Sequence, residues 1–277
     1  MSDELRRRFQ DKIQGRPPLA RRSGGPAGQE AVPPDTLLIH HIEHGALPSA
    51  LPLNPLFHKD RHRLRLTLDL GSDLRRRIRS LSPAQREALV SFSPRLDHHD
   101  CCLGLGLGAL LTTGADGQSS PSTIDADGLA LAHLIEHLAL ELLTEASAGR
   151  ECHGATCALA DRAERFDLFL EVADPLLGRT AAILAAVMAR DACAGLDRLD
   201  LHLRTRDLLI ALATGDRTVM APEDIAIEQD STVQGAREAL EALVRIGYLE
   251  TRVAPLTFSS TAGILYRRVH ASPSGTA

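Results

Sequence analysis

One helix constrains the fold of this chain more than any other segment. It is predicted to begin at Asp127, a residue type that caps helices, and to end just before Gly149, a residue type common past a helix end. Near its middle lies His133–His137, which has the pattern H-x-x-E-H. A helix with this pattern packs its apolar side on the rest of the protein while it keeps two histidines and a glutamate together.

The helix divides into a polar and an apolar side when it is projected at about 3.6 residues per turn. The polar side consists of His133, Glu136, His137 and Glu141. The apolar side consists of Leu131, Leu134, Ile135, Leu138 and Leu142. A solvated surface helix has the same pattern, so the pattern alone leaves two interpretations open, a metal site and an ordinary exposed face.

The spacing of the two histidines is that of a metal-binding helix. His133 and His137 are four residues apart, about one turn, so both imidazoles can reach one ion. Glu136 lies beside them, where a carboxylate can take a proton from metal-bound water. The pattern is the inverted form of the H-E-x-x-H zinc signature. We therefore predict a Zn²⁺ site with Glu136 as the catalytic base.

A third ligand is expected from a separate element, a strand predicted over Phe166–Val172. Glu171 is the first candidate, and Asp167, four positions earlier on the same face of the strand, is the alternative. Glu141 lies about 12 Å along the helix axis from the first histidine, too far to share the ion with both histidines. It is expected to orient His137 from outside the coordination sphere.

A near copy of the motif occurs earlier in the chain. His40, Glu43 and His44 also fit H-x-x-E-H, but they follow a β-like run and precede Gly45. Their side chains would alternate across a strand and would not converge on one ion. Because short motifs arise by chance, we interpret this copy as a coincidence and expect it to be inert.

The chain divides into three predicted parts. Residues 1–35 form a Pro- and Gly-rich tail that could not bury a core. Residues 36–200 form an α+β metallohydrolase-like domain, a small sheet covered by helices, with strands at Thr36–His40 and Arg63–Leu70. The remaining part, residues 204–270, is predicted to be a winged-helix domain of three helices and a two-stranded wing.

Composition limits the classes of partner. A formal net charge of −5 argues against a general nucleic-acid binder, because affinity for the phosphate backbone depends on clustered cations. No run of about 18 apolar residues lacks charge, so no membrane span is expected. The start lacks the apolar core of a secretory signal. Five cysteines form neither a disulfide scaffold nor a C-x-x-C pair, which favours a cytoplasmic location.

Several segments together resemble a known family. His133–Leu142 is similar to the helix of the N-terminal domain of cyanophycin synthetases, where an H-x-x-E-H is also followed by an A-L-E-L run. The supporting similarities are His99–Gly104 (H-x-C-S-x-G in the family), Gly154–Thr156 (G-R-T), Glu171, Gly178–Val187 and Leu68–Gly71. The resemblance covers roughly residues 36 to 195.

The resemblance implies a zinc-dependent hydrolase domain that cuts cyanophycin, the aspartate–arginine polymer, into shorter primers. It also places His99 on the substrate side of the site. Two positions depart from the family: Ala155 replaces the arginine of G-R-T, and Cys157 replaces a further arginine. The chain has no P-loop and too little length for the ligase domains, so it is not a synthetase. The winged helix is foreign to that domain.

Three functions follow, in order of preference. The first is a zinc metallohydrolase, or metallopeptidase, of a peptide or amide bond, with a peptide-like substrate. The second is a regulator in which the winged helix binds DNA and the first domain senses a metal or peptide. The third is a non-catalytic relic. The predicted third helix of the winged domain lacks a basic stripe, which disfavours DNA and favours packing or homodimerisation; its charges are Arg237, Glu238, Glu241 and Arg245.

Overall fold

The computed structural model describes residues 33–94, 126–159, 162–253 and 264–269. Within these ranges the fold is α+β, as the sequence predicts, with two small antiparallel sheets. Residues 1–32 of the predicted tail lie outside the described residues. So does His99, which was expected on the substrate side of the site.

The described residues form seven strands, seven α-helices and two short 3₁₀ helices. The strands are β1 (Leu37–Gly45), β2 (Arg63–Leu70), β3 (Gly154–Ala158), β4 (Arg165–Glu171), β5 (Val219–Met220), β6 (Leu249–Val253) and β7 (Ile264–Arg268). The α-helices are α1 (Ser72–Arg77), α2 (Pro83–Phe92), α3 (Ala126–Ala146), α4 (Pro175–Ala194), α5 (Leu199–Thr214), α6 (Pro222–Glu228) and α7 (Val233–Ile246). Short 3₁₀ helices occupy Pro48–Leu53 and Ile78–Ser80.

The first sheet has the strand order β1-β2-β4-β3, with every neighbouring pair antiparallel. Apolar and polar residues alternate along the central strands, so the sheet has two unlike faces. Phe166, Leu168 and Leu170 of β4 belong to the main core, which the helices cover. Phe169 belongs to a smaller apolar cluster on the other face, where it lies with Ala50 and Phe57. We call these the helix face and the outer face.

Local sequence signals account for several element boundaries. Ser82 caps α2 through a capping box with Gln85, as its position before Pro83 predicts. The metal-motif helix α3 begins at Ala126, so Asp127 lies in its first turn, where a carboxylate complements the helix dipole. Strand β2 has the predicted bounds. Strand β3 was not predicted, because five residues of weak β-propensity give little periodic signal.

The C-terminal part contains α5, α6, α7 and a sheet of order β5-β7-β6. Its apolar side chains belong to the same continuous core as the first sheet and its helices. Ion pairs also join the two parts: Arg206 contacts Glu145 at 3.2 Å and Arg268 contacts Asp174 at 2.7 Å. No helix in the described part of the chain combines the length and apolar character that crossing a membrane requires.

Candidate metal centre

Helix α3 is buried on its polar side as well as on its apolar side. Its leucines lie in the main core, as predicted. The side chains of His133 and Glu136 are also buried, with exposed fractions of 6% and 3%. Because a solvated surface helix would expose these residues, the interpretation of this side as an ordinary exposed face is wrong. His137 is partly exposed at the end of the motif.

The two histidines of the motif converge on each other. Nε2 of His133 lies 2.9 Å from Nε2 of His137, and the rings meet edge to face with centroids 4.3 Å apart. Two arrangements suit this distance: one ring donates an N–H to the other, or both lone pairs face one cation. Tetrahedral zinc, with Zn–N bonds of about 2.0–2.1 Å, separates two ligand nitrogens by about 3.3 Å. The pair therefore needs only a small opening to hold an ion.

Glu136 contacts the far side of the His133 ring. Its Oε2 atom lies 3.2 Å from Nδ1 of His133 and accepts a hydrogen bond from the Thr156 hydroxyl. An ionised carboxylate can only accept, so this contact favours the tautomer in which Nδ1 of His133 carries the proton and Nε2 presents a lone pair. This is how outer-shell carboxylates orient metal-binding histidines. The contact favours a positioning role for Glu136, alongside the proton-transfer role predicted from the sequence.

Strand β3 supplies the surroundings of the Glu136 carboxylate. Gly154 and Thr156 alternate with Ala155, so the first two face α3. A Cβ atom on Gly154 would lie 2.6 Å from Oε1 of Glu136. Any side chain at this position would therefore require the carboxylate or the strand to shift. Sequence reasoning missed both contacts, although the segment Gly154–Thr156 had been singled out by resemblance.

The structure does not bring Glu171 to the histidine pair. Glu171 follows Phe169 by two positions in β4, so both lie on the outer face, whereas α3 packs on the helix face. The alternative ligand Asp167 is on the outer face too, where it pairs with Arg65 at 2.7 Å and accepts a hydrogen bond from Thr67. The alternation of apolar and acidic residues in β4 indicates the same arrangement. The apolar face of a strand is the one that packs on a helix, so the acidic residues face away from it.

On the outer face, Glu171 contacts residues that sequence reasoning did not select. His58 donates its backbone N–H to Oε1 and places Nδ1 at 3.1 Å from Oε2. The carboxylate is 1% exposed. Glu171 also lines a cavity of about 270 Å³ between the loop before β2 and the end of α3. His58 was missed because it lies in a loop, 113 positions from Glu171, with no periodic pattern around it.

The other predicted residues of the site have definite positions as well. Glu141 accepts a hydrogen bond from the hydroxyl of the buried residue Ser93. Its expected role in orienting His137 stays a prediction. Cys152, beside His153, lines the cavity near Glu171, and burial raises the pKa of its thiol. Cys157 lies on the outer face of β3, against the cluster that contains Phe169.

The near copy of the motif lies on strand β1, and its residues have separate partners. His40 is hydrogen bonded to the buried carboxylate of Asp69. His44 packs edge to face on His62, with ring centroids 5.1 Å apart. Burial, followed by the charge of His62, lowers the pKa of His44. The strand predicted for this segment is confirmed; the inertness of the copy toward metal stays a prediction.

Asp69 forms a two-pronged ion pair on the outer face. Arg165 donates to both of its oxygens, at 2.6 and 2.8 Å. Burial by itself raises the pKa of Asp69, but the hydrogen bonds from Arg165 and His40 outweigh burial, and the pKa lies below its ordinary value. Arg165 on the neighbouring strand β4 thus compensates the burial of Asp69 on β2.

Comparison with known proteins identified no relative of this chain. No protein-family model, no curated protein and no solved structure matches the chain.

Proposed function

We propose that this protein is a zinc-dependent hydrolase of a peptide or amide bond, with the ion held by His133 and His137. The single observation that carries the proposal is the 2.9 Å separation of the two Nε2 atoms. A pair of imidazoles at this distance, one buried and one partly exposed, is close to the edge of a tetrahedral zinc site.

The two histidines are donors that zinc prefers, and among the described residues no third histidine, cysteine or carboxylate groups with them as a ligand. Imidazole nitrogen is a preferred zinc ligand, and a carboxylate on the opposite ring nitrogen fixes the tautomer that binding requires. Bound at this pair, zinc would act as a Lewis acid and lower the pKa of a water ligand to about 7. His133 and His137 would hold the ion, and Glu136 would keep the His133 ring in place. In the proposed reaction Glu136 also accepts the proton of the attacking water and passes it to the leaving nitrogen.

The resemblance to the N-terminal domain of cyanophycin synthetases supports an aspartate–arginine peptide as the first substrate to test. Ala155 and Cys157, which replace two arginines of that family, lie on the outer face, away from α3. Their side chains are therefore remote from the histidine pair. The bond that we propose is therefore a peptide or amide bond. The aspartate–arginine peptide serves as a probe of this activity.

We also propose that the C-terminal part is a winged helix. Support comes from the order of its elements, three helices with a short strand after the first and an antiparallel pair after the third. The exposed residues of α7 include Arg237, Glu241 and Arg245, a mixture of charges. Such a face offers few phosphate contacts, so we assign this part a packing or dimerisation role and rank DNA-linked regulation second.

The experiment that tests the hydrolase uses the full chain. Protein stripped of metal with a chelator is assayed on a synthetic aspartate–arginine peptide before and after saturation with zinc. We expect hydrolysis only with zinc, and none from a His133→Ala, His137→Ala double variant. Hydrolysis that survives both the chelator and the double substitution would overturn the proposal, as would zinc-loaded protein that leaves peptide and amide probes intact.

A further inference from the structure

Three side chains that can bind a metal meet on the outer face of the first sheet, away from the helix motif. They are His58 in the loop before β2, His153 immediately before β3, and Glu171 at the end of β4. One ligand atom from each lies within 4.8 Å of the other two. The rings of His58 and His153 are stacked, with centroids 5.5 Å apart and planes inclined by 27°.

Backbone contacts hold the three residues in place. The amide N–H of Glu171 donates to the carbonyl of His153 at 2.8 Å. The backbone N–H of His58 donates to Oε1 of Glu171, and the carbonyl of His58 accepts from the buried guanidinium of Arg63. Asn54, at the start of the same loop, donates to the carbonyl of Gly154 at 2.6 Å. The ligand-bearing segments are therefore fixed relative to one another before any ion arrives.

The guanidinium groups near Glu171 lie farther from its carboxylate than those near the other two outer-face acids, Asp69 and Asp167, lie from theirs. Asp69 and Asp167 each receive two guanidinium hydrogen bonds, none longer than 3.1 Å. Near Glu171 the guanidinium nitrogens lie farther away, Arg61 at 3.5 Å and Arg63 at 3.8 Å. Since attraction weakens with distance, this buried carboxylate keeps capacity for another cation.

The two oxygens of Glu171 face different partners. Oε1 accepts the backbone N–H of His58 and is the oxygen nearest Arg63. Oε2 lies 3.1 Å from Nδ1 of His58, close to the separation of about 3.3 Å between two ligands of a tetrahedral zinc ion. Oε1 thus anchors the loop, while Oε2 and Nδ1 form one edge of a coordination site. His153 stands beside this edge.

A cavity next to the cluster leaves room for a further ligand. Its volume is about 270 Å³, and Glu171, Arg61, His62, Arg150 and Cys152 are among the residues that line it. The His58 side chain is 47% exposed, so an ion can enter from solvent. Two histidines, one carboxylate and an open position are the ligand set of zinc sites that bind water or an exogenous group.

We propose that His58, His153 and Glu171 form a second site, for a divalent transition-metal cation such as Zn²⁺, on the opposite face of the sheet from the histidine pair of α3. The mixed imidazole and carboxylate donors favour Zn²⁺, Cu²⁺ or Ni²⁺ over Mg²⁺ and Ca²⁺, which prefer all-oxygen ligands. Arg61 competes with the ion for Oε2 and moves aside when the ion binds. The site does not depend on the proposed hydrolase function.

The test is a zinc titration of the metal-stripped full chain against a chromophoric chelator. His153→Ala is expected to lower the number of zinc ions bound per chain by one, or to weaken the zinc affinity of one site. Loss of an outer-shell partner typically lowers metal affinity roughly 10–100-fold, and loss of a ligand should lower it at least as much. His58→Ala should do the same. His62→Ala is the matched control, because His62 lines the same cavity outside the ligand set, and it should bind as the wild type does.

A fourth variant tests the competition that the structure implies. Arg61→Gln removes the guanidinium at 3.5 Å from Oε2, so zinc should bind this site several-fold more tightly. The result is a gain of affinity that a misfolded variant cannot imitate. Unchanged stoichiometry and affinity in His58→Ala and His153→Ala would overturn the proposal. The His133→Ala, His137→Ala variant should lose a different zinc ion and keep the one at the second site. The two proposals can therefore be tested independently.

Discussion

Oε2 of Glu136 lies 3.2 Å from Nδ1 of His133, and this contact decides which ring nitrogen remains for another partner. The carboxylate accepts a hydrogen bond from the Nδ1–H group, so the Nε2 lone pair points toward His137. Thr156 donates to the same oxygen and keeps the carboxylate from rotating. The helix motif and strand β3 therefore act together, although 20 residues separate Glu136 from Thr156.

The first prediction concerns metal content. The His133→Ala, His137→Ala double variant should contain one zinc ion per chain fewer than the wild type, because both nitrogens of the converging pair are removed. Elemental analysis of protein purified without added metal measures this. The control is His40→Ala, His44→Ala, which removes the near copy on β1 and should leave zinc content unchanged. Zinc lost from the control, or retained by the first variant, would show that the pair on α3 does not bind metal.

The second prediction separates the two roles of Glu136. In Glu136→Gln the amide remains close to Nδ1 of His133 but carries no charge, so zinc affinity should fall about 10–100-fold. At saturating zinc, hydrolysis of the peptide substrate should still be about 10²–10⁴-fold slower, because the proton acceptor is gone. A zinc titration and steady-state kinetics measure the two effects. Full turnover at saturating zinc would leave Glu136 with the positioning role alone.

The third prediction tests the close approach of β3 to α3. In Gly154→Ala the added Cβ would lie 2.6 Å from Oε1 of Glu136, so the strand or the carboxylate must shift. Overpacking of this kind costs about 1–3 kcal/mol of the free energy of unfolding, and zinc binding at the pair should weaken. Gly45→Ala is the matched control, a strand glycine whose added Cβ meets no atom within 4 Å. Chemical denaturation compares the two, and equal stabilities would contradict the prediction.

The fourth prediction concerns acid stability. The pKa of Asp69 is lower in the folded protein than its ordinary value of 3.8. The unfolded chain therefore binds a proton more readily, and the contribution of Asp69 to stability is fully present above that value and is lost as the pH falls below it. Asp69→Asn breaks a buried ion pair and should cost about 3 kcal/mol at neutral pH.

The same substitution should also change the shape of the pH profile. Between about pH 5 and pH 3 the free energy of unfolding should fall less steeply in Asp69→Asn than in the wild type, because the titrating group is absent. Denaturant titrations at several pH values provide the measurement. Asp197→Asn, at an exposed position, is the control and should keep the wild-type slope. Parallel profiles for the wild type and Asp69→Asn would show that Asp69 does not link folding to protons.

The fifth prediction concerns nucleic acid. The full chain has a net charge of −5, and the exposed face of α7 mixes arginine with glutamate. Few counterions can be released, so DNA binding at physiological salt should be no tighter than about 10⁻⁶ M and should show no sequence preference. Gel-shift titrations with random and genomic fragments measure this. A specific site of sub-micromolar affinity would place DNA-linked regulation ahead of hydrolysis.

Several features of the fold were determined by the sequence itself. Strict alternation of apolar and polar residues in Arg63–Leu70 predicted a strand with the observed bounds. Successive side chains of a strand point to opposite faces, so this alternation places all the apolar residues on one face. The capping residues Ser82 and Pro83 fixed the start of a helix. The spacing of His133 and His137 brought the two rings together, because one helical turn separates them. Each of these features is signalled by a pattern among residues close in the chain.

The tertiary structure decided which side of each element faces which partner. Helix α3 packs against the apolar face of β4, so Glu171 points away from the histidines that were expected to share its ion. Its actual neighbours are His58, 113 positions away, and His153. Loop residues without periodicity carry no signal of where they will lie, and only contacts in the folded chain, such as that from the His58 backbone N–H, bring them to Glu171. The local motif was therefore readable in the sequence, whereas the grouping of ligands depended on the register and layering of the sheet.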